Sequence, residues 1–284
     1  MPQRTALITG CSDGGIGSAL AAEFHLRGLR VFATARDASK MTSLTALGVE
    51  TIALDVTSDE SAAAAVALVR EKLSPGGGRL DFLVNNAGIH HILPFTDSKI
   101  TDLRRLMDTN VVGTLAVTQA FLPLMMRRKE DIDVNGKATV VMLGSINEIF
   151  CPIYQSAYNA SKAAVHAIAR TLRVELAPLG INCVTLMTGS VQTKLFDNAP
   201  SKVPEDSLYA SVANEVETRD FLKTAQFVST DQFARQAVDD LLKPKPKLDI
   251  WRGGLATVAS WLACFGWEGM LDSSMFKMNH LDRI

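Results

Sequence analysis

Short apolar runs alternate with longer segments of helical period, clearest in the first half of the chain, and this alternation restricts the fold more than any other feature. The runs fall at 4–9, 29–35, 50–55, 80–85, 137–144, 181–187 and 247–251, with helical periods at 16–27, 59–73, 99–127, 156–178 and 230–243. A strand, a crossover helix and a second strand build a parallel sheet covered on both faces. The expectation is an α/β fold in which one doubly wound parallel sheet of about seven strands is flanked by helices, as a single domain over 1–284. With 47% apolar and 21% charged residues, the 284-residue chain can fill such a core, which excludes disorder and fibrous repeats.

Lys and Arg number 29 against 30 Asp and Glu, a formal net charge of −1 without any block of like charge. That leaves no electrostatic footprint for nucleic acid, so the partner expected is a small molecule in a pocket. Cys11, Cys151, Cys183 and Cys264 stand apart with no Cys/His ligand spacing, so neither a disulfide framework nor a metal site is expected. A reducing compartment follows. Met1 leads straight into the strand-like Thr5-Ala6-Leu7-Ile8-Thr9 without the pattern of a secretory signal, and a cytoplasmic location is expected.

After the first run comes Thr9-Gly10-Cys11-Ser12-Asp13-Gly14-Gly15-Ile16-Gly17, which opens a helix. Glycines admit positive φ and close backbone approach, and a helix N-terminus offers N–H groups to a pyrophosphate. A dinucleotide suits this turn. The second run ends Ala35-Arg36-Asp37. A site for NAD places an acid near this strand end to hold the ribose 2′-hydroxyl, whereas Arg suits the 2′-phosphate of NADP. Ala35 fills the acidic position and Arg36 follows, which points to NADPH. Asp37 reads as a solvated turn residue or helix cap.

Further motifs follow in order: Leu54-Asp55-Val56, Asn85-Asn86-Ala87-Gly88, Asn110, Ser145 and Tyr158-Asn159-Ala160-Ser161-Lys162. Together with Gly10, Gly15 and Gly17 they resemble the classical short-chain dehydrogenase/reductase family over residues 5–253. Within it, residues 154–166, the Thr188-Gly189 turn and the run 249–253 are similar to the fungal NADPH-dependent 1-acyldihydroxyacetone-phosphate reductase group. The resemblance implies a Rossmann-type domain that reduces a ketone on a hydrophobic substrate to a secondary alcohol, 1-acylglycerone phosphate among the candidates. Two alternatives stand beside it: a tailoring ketoreductase of fungal secondary metabolism acting on a polyketide, terpenoid or alkaloid ketone, and a cofactor binder repurposed for isomerisation or cyclisation. A homodimer or homotetramer through helices 99–127 and 156–178 is implied as well.

The same resemblance assigns catalysis to Asn110, Ser145, Tyr158 and Lys162, with Asn110 holding a water that links Lys162 to solvent. It assigns the cofactor to Gly10, Ser12, Gly15, Ile16, Gly17, Arg36, Asp55, Val56, Asn86, Ala87, Gly88, Tyr158, Lys162, Gly189, Val191 and Thr193. Substrate contacts are expected from Ser145, Glu148, Tyr154 and Tyr158. The residue chemistry agrees: Tyr158 and Lys162, four apart on a helix, share a face, and an adjacent ammonium is expected to lower the phenol pKa from about 10. Ser145 at a strand end would hydrogen-bond the same substrate oxygen.

Several positions depart from the family pattern. The glycine turn has one residue more than the family's commonest spacing, which leaves open whether Gly14 or Gly15 approaches the phosphates, and Thr188 stands where Pro is usual. His90 and His91 read as solvated loop residues, with metal or substrate binding as the alternative. The polar segment 192–228 reads as a substrate lid, in which Lys194, Lys202, Arg219 and Lys223 are candidates to receive a substrate phosphate. The extension 254–284 carries an uncharged stretch from Leu255 to Phe265 that is too short to span a bilayer. It reads either as a buried or partner-covered helix, or as a surface segment that docks on an endoplasmic reticulum membrane or lipid droplet or forms the mouth of a hydrophobic pocket.

Overall fold

The computed structural model describes residues 3–74, 78–126, 136–197, 199, 202–219, 222 and 225–284. Lys223 lies outside them, as does the Pro75-Gly76-Gly77 part of the run Ser74-Pro75-Gly76-Gly77-Gly78, whose Pro and Gly residues read as a tight loop. Strands β1 (Thr5–Thr9), β2 (Arg30–Ala35), β3 (Glu50–Ala53), β4 (Phe82–Asn85), β5 (Ala138–Ser145), β6 (Ile181–Thr188) and β7 (Asp249–Arg252) form one sheet in the order β3-β2-β1-β4-β5-β6-β7. Every pairing is parallel. The near-continuous apolar character of β1, β2 and β5 follows, since helices cover both faces and nearly every side chain on these strands is buried.

On one face, α1 (Ile16–Leu26) and α9 (Thr230–Leu241) pack Phe24, Phe233 and Leu241 against Ile8, Val31 and Phe82. On the other, α3 (Asp59–Leu73), α5 (Gly113–Met125) and α7 (Ser156–Glu175) pack Val69, Phe121 and Val165 against Leu7, Phe32, Leu83 and Val140. Each fully buried large side chain contributes about 1.5–3 kcal/mol relative to exposure. The short α2 (Thr42–Ala46) follows β2.

One expected element is divided. The helix expected over 99–127 is α4 (Ile100–Met107), then a π-helical turn at Asp108–Val112, then α5. Such a turn re-aims side chains inside a continuous helix and is frequent at functional sites. Here it turns Asn110 inward, where Nδ2 donates to the Ile89 carbonyl at 3.0 Å and the Ser161 hydroxyl at 3.1 Å, and Oδ1 accepts from Ile89 N–H at 2.8 Å.

Strand order reverses between β1 and β4, and sheets of this kind leave a crevice there at the carboxyl ends of the strands. Thr9, Asn85, Ser145 and Thr188 all end strands at that edge. Beyond the sheet come α6 (Asn147–Phe150), α8 (Ala213–Glu217), α10 (Ala256–Phe265) and α11 (Asp272–Met278). In α10 one face buries Ala256 and Ala259 against Ile146 and Trp251, while Val258, Trp261 and Phe265 face outward.

Candidate active site

A cavity of about 1600 Å³ opens along the strand ends, from the glycine turn at one side to α11 at the other. Gly10, Ser12, Gly15 and Ile16 lie on its wall. Gly10 has φ +73°, and a Cβ there would stand 2.8 Å from Ala87 Cα, so the turn after β1 and the loop after β4 touch only because this residue lacks a side chain. Asn86 closes the seam: its amide donates to the carbonyls of Thr9 at 2.7 Å and Gly10 at 3.0 Å, and the Thr9 hydroxyl accepts from Ala87 N–H. Of the two glycines left open by the sequence, Gly15 lies on the wall, and Gly14, at φ +82° beneath the Lys194 side chain, makes the turn. The N-terminus of α1 has no side-chain cap, so it can meet an anion.

Gly17 departs from its assignment as a cofactor contact. It is off the cavity wall, where a Cβ would run into the Asn86 amide and the Gly10 carbonyl. Its role is close packing. Gly17→Ala should therefore lower stability by about 1–3 kcal/mol through overpacking. An unchanged urea midpoint would show that the Asn86 seam yields freely.

At the far end of the glycine turn, Ala35, Arg36, Lys40, Asp55 and Val56 line the cavity. Asp37 does not. Its carboxylate accepts from the Ser39 N–H at 3.0 Å and the Ser39 hydroxyl at 2.6 Å, capping a short turn as expected. Asp55 accepts from Thr57 N–H at 2.9 Å and the Thr57 hydroxyl at 2.7 Å, and these bonds hold its pKa below the usual carboxylate range. Ala87, Gly88, Gly189, Val191 and Thr193 also lie on the wall. Glycines that admit a close ligand, an uncapped helix start and paired basic side chains fit a dinucleotide.

Ser145, Tyr158 and Lys162 converge in the middle of the cavity. Ser145 ends β5 and Tyr158 lies in the first turn of α7, with the Ser145 hydroxyl near enough to the phenol to stabilise its ionised form. The Ser145 hydroxyl also accepts from Asn147 N–H at 3.2 Å. Lys162 is buried, and its ammonium donates to the Leu143 carbonyl at 2.9 Å while lying 5.6 Å from the centre of the Tyr158 ring. The expected lowering of the phenol pKa is reversed: burial pushes Tyr158 up to about 12, against the opposing Ser145 hydrogen bond. Burial lowers Lys162 to about 8, opposed by the charge of Glu148. Asn110 is buried off the wall, and its side chain clamps the Ile89 backbone.

Two assigned substrate residues are placed elsewhere. Tyr154, at φ +64°, is buried in a satellite cluster with Ile92, Val203 and Val216, edge-on to Tyr209 and off the cavity wall. Glu148 turns away from the cavity because α6 presents it to α7: Oε1 lies 2.5 Å from His166 Nδ1, and His166 Nε2 lies 3.3 Å from Asp249 Oδ1. Neither lines the cavity.

The two loop histidines are also corrected, since both are buried. His91 Nε2 pairs with the Ser98 hydroxyl at 2.9 Å. His90 stacks on Tyr158, with ring centres 3.9 Å apart and planes at 26°, and lines the cavity. Burial, helped by Lys162, lowers its pKa to about 3, so the ring is neutral at working pH. The place of His90 just past Asn86-Ala87-Gly88 marks it as a substrate candidate only beside the solvated reading.

The remaining wall is mixed. Thr101, Asp102, Arg104 and Arg105 give it polar surface, and Phe150, Ile153, Phe196, Phe227, Met275 and Met278 give it apolar surface. Thus α11 forms part of the mouth, one of the readings open for the C-terminal extension. Of the phosphate candidates, Lys194 lines the cavity but lies over Gly14, Lys202 is exposed and off the wall, and Arg219 donates to the Ala199 carbonyl at 3.1 Å.

The family model described as short chain dehydrogenase matches residues 4–204. The chain belongs to the short-chain dehydrogenase family. A short-chain dehydrogenase/reductase of Pestalotiopsis microspora is 39% identical over 286 residues, covering 99% of this chain and 95% of that protein. The NADPH-dependent 1-acyldihydroxyacetone phosphate reductase of Schizosaccharomyces pombe is 34% identical over 287 residues, covering 98% and 93%. A crystal structure of a short-chain dehydrogenase from Streptomyces avermitilis superposes with a TM-score of 0.77 at 28% identity, covering 99% of this chain and 97% of that one. As a short-chain dehydrogenase the chain is an oxidoreductase of a family that works with NAD or NADP.

Proposed function

We propose that the chain is an NADPH-dependent reductase that converts a ketone on a hydrophobic substrate to a secondary alcohol. The observation that carries this reading is the position of the Tyr158–Ser145 hydroxyl pair, between a basic, glycine-lined end of one cavity and an aromatic, methionine-lined end. The reduced nicotinamide supplies the hydride. Ser145 and Tyr158 hold the carbonyl oxygen, and the Tyr158 phenol, protonated at neutral pH because burial raises its pKa to about 12, gives its proton to the alkoxide as charge develops. Lys162 holds a positive charge beneath the phenol and the ribose hydroxyls. The segment 192–228, which brings Phe196, Leu222 and Phe227 to the wall, acts as the lid.

A neutral apolar ketone is the substrate class favoured, because Lys194 lies over Gly14, Lys202 is off the cavity wall and Arg219 is engaged by the Ala199 carbonyl. A 1-acylglycerone phosphate is the second reading, carried by the relative from Schizosaccharomyces pombe. The deciding experiment follows NADPH absorbance with apolar ketones in parallel with the acyl phosphate. Turnover of the neutral ketones at higher kcat/KM supports the first reading, turnover of the acyl phosphate alone supports the second, and NADPH binding without any turnover sinks both.

Two surfaces extend the proposal. Val112, Leu115 and Val174, exposed on the helices around α5 and α7, suit pairing with a second copy, which sedimentation equilibrium would show as a dimer or tetramer and a monomer would refute. Among the described residues no helix is long and apolar enough to cross a membrane. The exposed Trp261, Phe265 and Trp267 beside the cavity mouth suit shallow contact with a lipid surface; absence of vesicle flotation would remove that role.

A further inference from the structure

We propose that Glu148, His166 and Asp249 form a charge-holding unit behind the active site that keeps Lys162 in its ammonium form, so that Glu148 is a positioning residue for the reaction. The inference rests on the functional reading of Lys162 given above.

The placement comes from three elements. On α7, Tyr158, Lys162 and His166 succeed one another at four-residue steps and so share one face, running from the cavity into the protein. The single turn of α6 is fastened over that face: the Asn147 amide donates to Gln155 Oε1 at 2.9 Å and Asn159 Oδ1 at 3.2 Å, and the Asn159 amide donates to the Pro152 carbonyl at 2.9 Å. Glu148 thereby meets His166, one helical turn beyond Lys162, and its charge acts on Lys162. From the edge strand β7, Asp249 takes the other ring nitrogen of His166.

Burial makes this arrangement unlike a surface ion pair. The Glu148 side chain is 7% exposed, and its Oε2 is buried without a hydrogen-bond partner. A carboxylate buried with one oxygen unsatisfied is costly, and a favourable interaction with a nearby cation offsets part of that cost. Two carboxylates flank one imidazole, and their hydrogen bonds raise the His166 pKa to about 9, so the ring is cationic at neutral pH. The unit then carries a net charge of −1 beside Lys162.

The groups facing Lys162 are few. From the loop after β4 comes His90, neutral at working pH; from β5 the Leu143 carbonyl; from α7 itself Tyr158 and, one turn on, the cationic His166; and from α6 Glu148. Of these only Glu148 brings a full negative charge. Around the rest of the unit, Arg173 and Thr185 act on Asp249, and Cys151 lies against Glu148. Burial alone drives Lys162 toward the neutral amine, and the ammonium persists up to a pH of about 8 with Glu148 opposing that loss. An amine would neither favour the alkoxide nor hold the ribose as firmly.

The test follows Lys162 directly, by NMR of protein with isotope-labelled lysine and with Lys162→Ala to assign the signal, alongside the pH profile of kcat/KM. In the unmutated protein the Lys162 signal should titrate near pH 8, with activity falling on the alkaline side of the same midpoint. Glu148→Gln should move both midpoints down by about one pH unit. Glu148→Asp should restore most of the shift. Asp249→Asn, at the half-exposed end, should move them in the same direction by less, and it decides the matter if Glu148→Gln does not fold. Midpoints that stay in place in both variants, even with a lower melting temperature, overturn the proposal and leave the unit a structural one. Full turnover in Lys162→Ala would instead overturn the functional reading, while the NMR midpoints still judge the electrostatic one.

Discussion

Tyr158→Phe should cost about 10²–10⁴-fold in turnover, the usual worth of a positioned acid, while NADPH still binds. The change deletes one hydroxyl and keeps the ring that His90 stacks on. Ser145 loses the nearby phenol but still accepts the Asn147 N–H, so strand end and helix start remain joined. The argument needs the phenol to carry its proton, and burial assures this by raising the pKa to about 12. The sign follows: below about pH 12 the donor is loaded, so an alkaline loss of activity near pH 8 belongs to Lys162 and not to Tyr158. Single-turnover kinetics with saturating NADPH measure the effect. A variant that keeps more than about a tenth of the wild-type rate would show that another group donates the proton.

Much of this arrangement was legible because the signals are local. A spacing of four puts Tyr158 and Lys162 on one face of α7 whatever surrounds them, and the apolar run before Ser145 ends where β5 ends. The seven strands lie within two residues of the expected runs, since buried parallel strands must be apolar along their length. Asp37 as a cap follows equally from near neighbours. Where direction depended on tertiary packing, pattern was silent. Glu148 lies three residues past Ser145, but the turn of α6 and the left-handed Cys151 and Tyr154 that follow decide which way each side chain points. His90 and His91 look alike in sequence and are held by different partners. The break at Asp108–Val112 carries no Gly or Pro inside it, so a long helix was the natural reading. The phenol pKa failed for a related reason: an ammonium four residues away was visible, but full burial and its diversion to the Leu143 carbonyl were not.

Cofactor choice should rest on Arg36. The guanidinium and Lys40 face the end of the cavity where β2 finishes, and the one acid of that turn, Asp37, is occupied by Ser39. A charge-assisted hydrogen bond from a guanidinium to a phosphate contributes about 1.5–3 kcal/mol, which corresponds to about tenfold to a hundredfold preference for NADPH over NADH in kcat/KM. Arg36→Ala should remove most of that preference. Combined with Ala35→Asp it should reverse it, because the introduced carboxylate accepts from a free ribose 2′-hydroxyl and repels a 2′-phosphate. Lys40 remains in the double variant, so the reversal should be smaller than the original preference. Asp55 is expected to stay neutral in this contest, its carboxylate being tied to Thr57 by two hydrogen bonds. Steady-state kinetics with both cofactors at one fixed ketone concentration decide the point. Equal efficiency with NADH and NADPH in the unmutated chain would mean that Arg36 does not meet the phosphate and that the ribose is held from elsewhere.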